Sequence, residues 1–197
     1  MDYGIGNLRS AEKALQYVGA AARLTSDPQE ARKADAVVLP GVGSFGPCAR
    51  ALRRSRLDVV AREFVDAQRP FLGICVGLQL LFEGSAEDPE DPGIGVLPGF
   101  VSRLPPGVKH PQMQWNQLRG VLGRPSALLA SMGPEPWVYF VHSYAPPMGD
   151  EAVSTCDYGG EVVAAVERGV LWGVQFHPEK SSDAGLALLK AFTELAR

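Results

Sequence analysis

Near the start of the chain, apolar residues recur at helical spacing, at Leu8, Ala11, Leu15 and Val18, and the run stops at Gly19. Positions three and four apart share one face of a helix, and glycine suits the left-handed conformation just past a helix end, so this pattern predicts a first amphipathic helix. Asp27-Pro28 with Glu30 close behind reads as an N-cap followed by proline at the first helical position, and Ala36-Val37-Val38-Leu39 is a short buried-strand run. The alternation then repeats. Leu57 to Gln68, with Val60, Phe64 and Ala67 on one face, predicts a helix, Phe71-Leu72-Gly73-Ile74 a strand, and Val76 to Phe82 another helix. Helices alternating with buried strands imply a parallel sheet covered by helices.

Beyond about Gly95 the period shortens to that of strands. Val96 to Leu104, Met113 to Leu118, Trp137 to Tyr144, Glu161 to Val166 and Val170 to Phe176 are strand-like, with Gly159-Gly160 and Arg168-Gly169 where hairpin turns would fall. Leu188, Phe192 and Leu195 share one side of a closing helix. The expected fold is a three-layer α/β/α domain spanning residues 1–197, with a mixed, mostly parallel sheet. No repeat is present, and the Pro/Gly-rich stretch from Glu87 to Gly95 is too short for an interdomain linker. A strand is expected ahead of the loop Asp2-Tyr3-Gly4-Ile5-Gly6, where almost no chain lies.

Composition narrows the function. With 197 residues, 46% hydrophobic and 21% charged, the chain is suited to one well-buried core. A net charge of -3 gives no broad positive field for nucleic acid. No apolar run approaches the roughly 18 residues of a membrane span, and the first residues lack a signal-peptide layout, so a soluble cytoplasmic protein is expected. Three widely spaced cysteines, Cys48, Cys75 and Cys156, form neither a disulfide framework nor a metal clip, and no metal is expected.

Three pieces could carry chemistry. In Gly73-Ile74-Cys75-Val76-Gly77 a cysteine stands between glycines at a strand-to-helix junction. This fits a nucleophile elbow, where a sharp turn lifts the side chain, glycines admit a neighbouring backbone, and the helix N-terminus favours a thiolate. A small buried cysteine at a tight strand end fits the pentapeptide equally well. About a hundred residues downstream, Gln175-Phe176-His177-Pro178-Glu179 places an imidazole and a carboxylate two positions apart in chain that Pro178 biases toward extended angles. His177 could then be a base oriented by Glu179, or the two could be a surface pair. His110 and His142 lack this arrangement, and Cys48 and Cys156 read as packing residues. Pro40-Gly41-Val42-Gly43-Ser44-Phe45 is a glycine-rich turn after a strand, able to aim N–H groups at an oxyanion. It has neither the P-loop ending nor the dinucleotide-binding spacing, so ATP and NAD are not indicated and no cofactor is expected.

Together these pieces resemble the triad-type (class I) glutamine amidotransferases, whose fold is flavodoxin-like. The opening block Asp2 to Ser10, the Met113-x-Trp115-Asn116 block and Lys180-Ser181 after His-Pro-Glu are, more narrowly, similar to the glutaminase subunits of imidazole glycerol phosphate synthase. The resemblance implies a catalytic triad of Cys75, His177 and Glu179, and oxyanion donors at Val42, Gly43 and Val76, the Val42-Gly43 backbone after a peptide reorientation triggered by the partner. It also implies glutamine-binding positions at Gln79, Glu87, Ser143 and Tyr144, and a partner face at Asn7, Trp115, Asn116 and Lys180. The implied partner is a cyclase (HisF-type) (β/α)₈ barrel, joined as a heterodimer, that receives the ammonia released from L-glutamine. Many members carry His where this chain has Gln112 and Gly where it has Gln114, so the loop against the barrel is expected to differ. The elbow and His-Pro-Glu alone leave open a chorismate-derived or pyridoxal phosphate pathway, against which Lys180-Ser181 argues, or a non-catalytic scaffold, against which the intact triad argues.

Overall fold

The computed structural model describes residues 1–196. In chain order its elements are α1 (Leu8–Tyr17), α2 (Pro28–Arg32), β1 (Val37–Gly41), α3 (Phe45–Arg54), α4 (Leu57–Asp66), β2 (Phe71–Cys75) and α5 (Val76–Gln79). There follow β3 (Gly84–Ser85), β4 (Phe100–Arg103), β5 (Gln112–Gln117), β6 (Arg119–Gly120), α6 (Ala127–Ala130), β7 (Trp137–His142) and β8 (Tyr144–Ala145). The chain ends with β9 (Ala152–Asp157), β10 (Glu161–Arg168), β11 (Leu171–Val174), a 3₁₀ turn over Pro178–Lys180, and α7 (Ser182–Leu195).

Local chemistry explains the helix ends. Past α1, Gly19 adopts φ +94° and the Ala20 N–H reaches back to the Leu15 carbonyl, closing the helix with a left-handed glycine. At α2 the Asp27 carboxylate accepts the Gln29 N–H at 2.8 Å, with Pro28 in the first turn. Two faces differ from their pattern: Ala67 and Leu195, the latter 45% exposed, lie at helix ends that have already passed the core.

The main sheet runs β1-β2-β11-β10-β9-β6. It is mixed: β1, β2 and β11 pair in parallel, while β10, β9 and β6 extend it antiparallel through turns at Arg168-Gly169 and Gly159-Gly160. Neighbouring strand residues face opposite ways, which sorts the helices into layers. A methyl on Gly173 would meet Leu78 of α5, whereas the Trp172 ring stands edge-on to Phe192 of α7 at 5.8 Å. Thus α5, with α3 and α4 beside it, covers one face; α7, with α1, covers the other. Phe45, Phe64, Phe71 and Phe176 fill the space between.

Among the elements shorter than expected are α5 and the strand predicted from Val96. The carbonyls of Leu80, Leu81 and Phe82 accept N–H groups from Ile94, Gly95, Val96 and Leu97. The Leu81 and Phe82 N–H groups bond three residues back, to the Leu78 and Gln79 carbonyls, so α-geometry gives out after Gln79, while the Val96 and Leu97 N–H groups are committed to the Leu81 carbonyl and the predicted strand begins only at Phe100. Among the described residues the strand expected ahead of Asp2 is not seen; the Met1 nitrogen donates to the Val38 carbonyl and the Asp2 N–H to that of Thr25, each at 2.8 Å. No helix of the described residues is long and apolar enough to cross a membrane.

Candidate functional site

Parallel pairing brings the ends of β1, β2 and β11 to one edge, and the three sequence pieces meet there. Gly41 is opposite Cys75, and Gly173 and Val174 pair with Gly73 and Ile74. Cys75 leaves β2 with φ +54° and ψ -113°, a conformation costly for any residue with a side chain and typical of a turn that aims a nucleophile. The glycines serve close approach: a methyl on Gly77 would collide with the Leu39 carbonyl, and one on Gly73 would lie 2.9 Å from the Gly77 carbonyl oxygen. Because α5 is only four residues long, anion stabilisation at the elbow falls to its first-turn N–H groups rather than to a full helix dipole.

His177 and Glu179 are joined, Nδ1 to Oε1, at 2.8 Å, and their side chains are only 2% and 3% exposed. They are not a surface pair. The His177 N–H donates to the Tyr139 carbonyl at 3.0 Å, while the buried Ser181 hydroxyl donates to the His177 carbonyl at 2.6 Å and accepts the Tyr139 N–H at 3.0 Å. These bonds fasten the turn to β7. Nδ1 must carry the proton that the carboxylate accepts, which leaves Nε2, buried and without a hydrogen-bond partner, for the thiol. Burial pulls the imidazole pKa down, but the adjoining Cys75 thiol and Glu179 carboxylate outweigh it and raise the pKa to about 9.

A cavity of about 490 Å³ opens over the sulfur. Cys75, His177, Val42, Gly43, Val76, Gln79, Glu87, Ser143, Tyr144, Asn7 and Lys180 line it, so the structure gathers these predicted residues in one place. Glu179 stands behind His177. One Glu87 oxygen accepts the Phe45 N–H at 2.9 Å, tying the acidic loop to the start of α3. Gly43 adopts φ +88°, and the Val42 carbonyl accepts the Cys48 thiol at 3.3 Å. Burial raises the Cys48 thiol above its ordinary pKa, so it stays a donor.

Trp115 and Asn116 lie away from the cavity on β5. Alternation puts Trp115 on the face of Met113 and Tyr139, with Lys180 Nζ 5.9 Å from the Tyr139 ring centre, and Asn116 on the other face, donating to the Asp157 carbonyl at 2.9 Å. Met113, Trp115 and Trp137 are 61%, 45% and 55% exposed, forming an apolar face along β5 and β7 that begins at Met113, opposite the cavity-lining Val141.

Three residues at the site were not singled out as functional from sequence. Cys48 holds the Val42 carbonyl rather than merely packing. Gln175, fully buried, donates to the Cys75 sulfur at 3.6 Å. It lies two residues before His177, where the chain bends out of β11, so alternation alone does not place it. His142 lines the cavity, its Nδ1 at 2.8 Å from the Tyr144 carbonyl and its Nε2 at 3.0 Å from the Gln112 side chain. Burial is the main cause lowering its pKa to about 4, helped by the charge of His177 and opposed by the Tyr144 carbonyl. Its folded pKa lies below the unfolded value near 6.5, so stability held by the neutral ring is present above pH 6.5 and lost as pH falls toward 4. Thermal melts are expected to show the midpoint falling on the order of 5 °C across that window, and His142→Gln should flatten this limb. An unchanged slope in the variant would count against it.

Among the described residues, no group of three or more His, Cys, Asp or Glu side chains is placed to hold a metal ion.

The family model for class-I glutamine amidotransferase matches residues 1–195. The imidazole glycerol phosphate synthase subunit HisH of Moorella thermoacetica is 47% identical over 199 residues, covering 100% of this chain and 94% of the relative. The corresponding HisH of Methanothermobacter thermautotrophicus is 48% identical over 198 residues, covering 100% and 98%. Among solved structures, a glutamine amidotransferase superposes with a TM-score of 0.76 at 22% identity, covering 98% of this chain and 95% of that one. PurLQS from Thermotoga maritima superposes with 0.70 at 18%, covering 96% and 92%. At such identities these two structures speak for the fold.

Proposed function

The chain belongs to the class-I glutamine amidotransferases and, within them, to the HisH subunits of imidazole glycerol phosphate synthase, and from that premise we propose that Cys75, His177 and Glu179 hydrolyse L-glutamine to glutamate and ammonia. The observation that carries this reading is the buried His177–Glu179 pair with its free Nε2 beside a sulfur lifted by a strained elbow. The thiol proton passes to His177, and the resulting thiolate attacks the side-chain amide carbon of glutamine. As the C–N bond breaks, His177 returns the proton to the departing nitrogen and ammonia leaves. Water, deprotonated by His177, then hydrolyses the thioester to glutamate and restores the thiol. The neighbouring sulfur and the Glu179 carboxylate favour the protonated imidazole, which suits proton delivery to the leaving group. Developing negative charge on the amide oxygen would be received by N–H groups at Val42, Gly43 and Val76. Gln79, Glu87, Ser143 and Tyr144 would hold the amino-acid end of glutamine.

The product is useful only if kept from water, where ammonia becomes ammonium and ceases to be a nucleophile. The exposed face of Met113, Trp115, Trp137 and Lys180 adjoins the cavity mouth, and we assign it, with Asn7, to docking a cyclase (β/α)₈ barrel that consumes ammonia in making imidazole glycerol phosphate. Asn116 would brace this face from behind. All of this is carried by one domain in a cytoplasmic heterodimer. The test is glutamate release by the chain alone and with the cyclase and its nucleotide: slow turnover alone and strong stimulation in the complex are expected, and equal rates would defeat the reading. Trp115→Ala and Trp137→Ala should each weaken the complex about tenfold or more by titration calorimetry, because half-exposed aromatics at an interface centre carry much of the affinity. Wild-type affinity in both would place the partner elsewhere.

A further inference from the structure

We propose that Gln175 is a further catalytic residue, whose side-chain amide donates a hydrogen bond to the Cys75 sulfur and holds it as thiolate; this rests on Cys75 being the nucleophile. The donor order follows from the backbone outward. The Tyr144 carbonyl can only accept, so the atom of Gln79 at 2.8 Å from it is the amide nitrogen. The second hydrogen of that nitrogen points to an acceptor 3.0 Å away on Gln175, which is therefore Oε1. This leaves Nε2 of Gln175 toward the sulfur, at 3.6 Å. Gln175 has no solvent exposure, and its backbone N–H is fixed to the Ala164 carbonyl at 2.8 Å, so water and rotation offer that N–H little alternative.

The surroundings separate the two states of the sulfur. A neutral thiol can donate to the Val141 carbonyl, 4.0 Å away. Once the proton has moved to His177 Nε2, that carbonyl repels the anion, and the Gln175 N–H becomes a charge-assisted bond, stronger than its neutral counterpart. One short stretch leaving β11 thus delivers both the imidazole that takes the proton and, two residues earlier, the amide that receives the charge. The other titratable groups around the sulfur are Glu179 behind His177, Tyr3 and Cys48 beside β1 and α3, and Glu87, His142 and Lys180 around the cavity.

The test is the rate of Cys75 alkylation by iodoacetamide against pH, read by mass spectrometry on the full chain. In wild type, Cys75 should react faster than Cys48 and Cys156; if it does not, the nucleophile reading fails and this inference with it. Gln175→Met keeps the length and removes the N–H. Its alkylation midpoint should move up by about one pH unit, with reaction at pH 7 slowed roughly tenfold and kcat reduced more than KM changes. A reactive wild type with an unshifted Q175M profile overturns the proposal while leaving the nucleophile in place. If Q175M does not fold, Q175E decides alone: a carboxylate beside the sulfur should raise the midpoint, and a midpoint at or below wild type overturns it.

Discussion

Cys75→Ala is expected to lower glutamate release by a factor of about 10³ or more while leaving the fold intact. The substitution removes one atom, Sγ, and keeps the Cβ that occupies the elbow, so the φ of +54° and the pairing of Gly41 with Cys75 impose nothing new. The lost chemistry has no substitute among the cavity-lining residues. His177, deprived of its thiol, can only encourage water to attack an unactivated amide. Isolated variant and wild type should melt within a few degrees of each other. With the cyclase present, the variant complex should still form product when ammonium salt is supplied, because the second site receives ammonia from solution. Glutamate release near the wild-type rate would remove Cys75 from the mechanism.

Gly77→Ala is expected to destabilise the protein by more than about 4 kcal/mol, enough to leave little folded material at 37 °C. The methyl would collide with the carbonyl of Leu39. Relief by moving β1 is barred, since Leu39 is held in register opposite Gly73 and the next residues to Cys75 are paired in turn. Relief by moving α5 would drag Leu78 off Gly173 and release the elbow. A densely packed interior transmits such a displacement rather than absorbing it. Gly120→Ala is the control, with open space around its position at an exposed sheet edge, and should stay within about 0.5 kcal/mol of wild type. Urea or thermal unfolding distinguishes them, and equal stability of the two variants would show that the close approach at Gly77 is not tight.

What could be read from the chain was whatever local rules control. Cys75 between glycines at a strand end, and His177 and Glu179 two apart around a proline, are short-range arrangements; the elbow formed as expected, whereas His177 and Glu179 meet because the chain turns into a 3₁₀ helix at Pro178 rather than by running extended. Gln175 lies just as near in sequence, yet a glutamine carries no charge or nucleophilicity to draw notice until a sulfur stands beside it. The lengths of α5 and of the strand before Arg103 were not legible, because the one depends on where the turn tightens to bonding three residues back and the other on loop N–H groups being taken by the distant Leu80, Leu81 and Phe82 carbonyls. The two-residue strands β3 and β6 have too few positions to show a period. Asn116 was grouped with Trp115 by its place in a motif, whereas the pleat of β5 turns its side chain to the opposite face.

The backward bend at Cys75 is maintained by parallel strands on both sides of β2 and by a helix that closes immediately behind it. Its energy, of order 1–3 kcal/mol, is therefore supplied once, when the chain folds. Substrate arriving in the cavity meets a sulfur already aimed, and its affinity is left free to orient the amide rather than to reshape the protein.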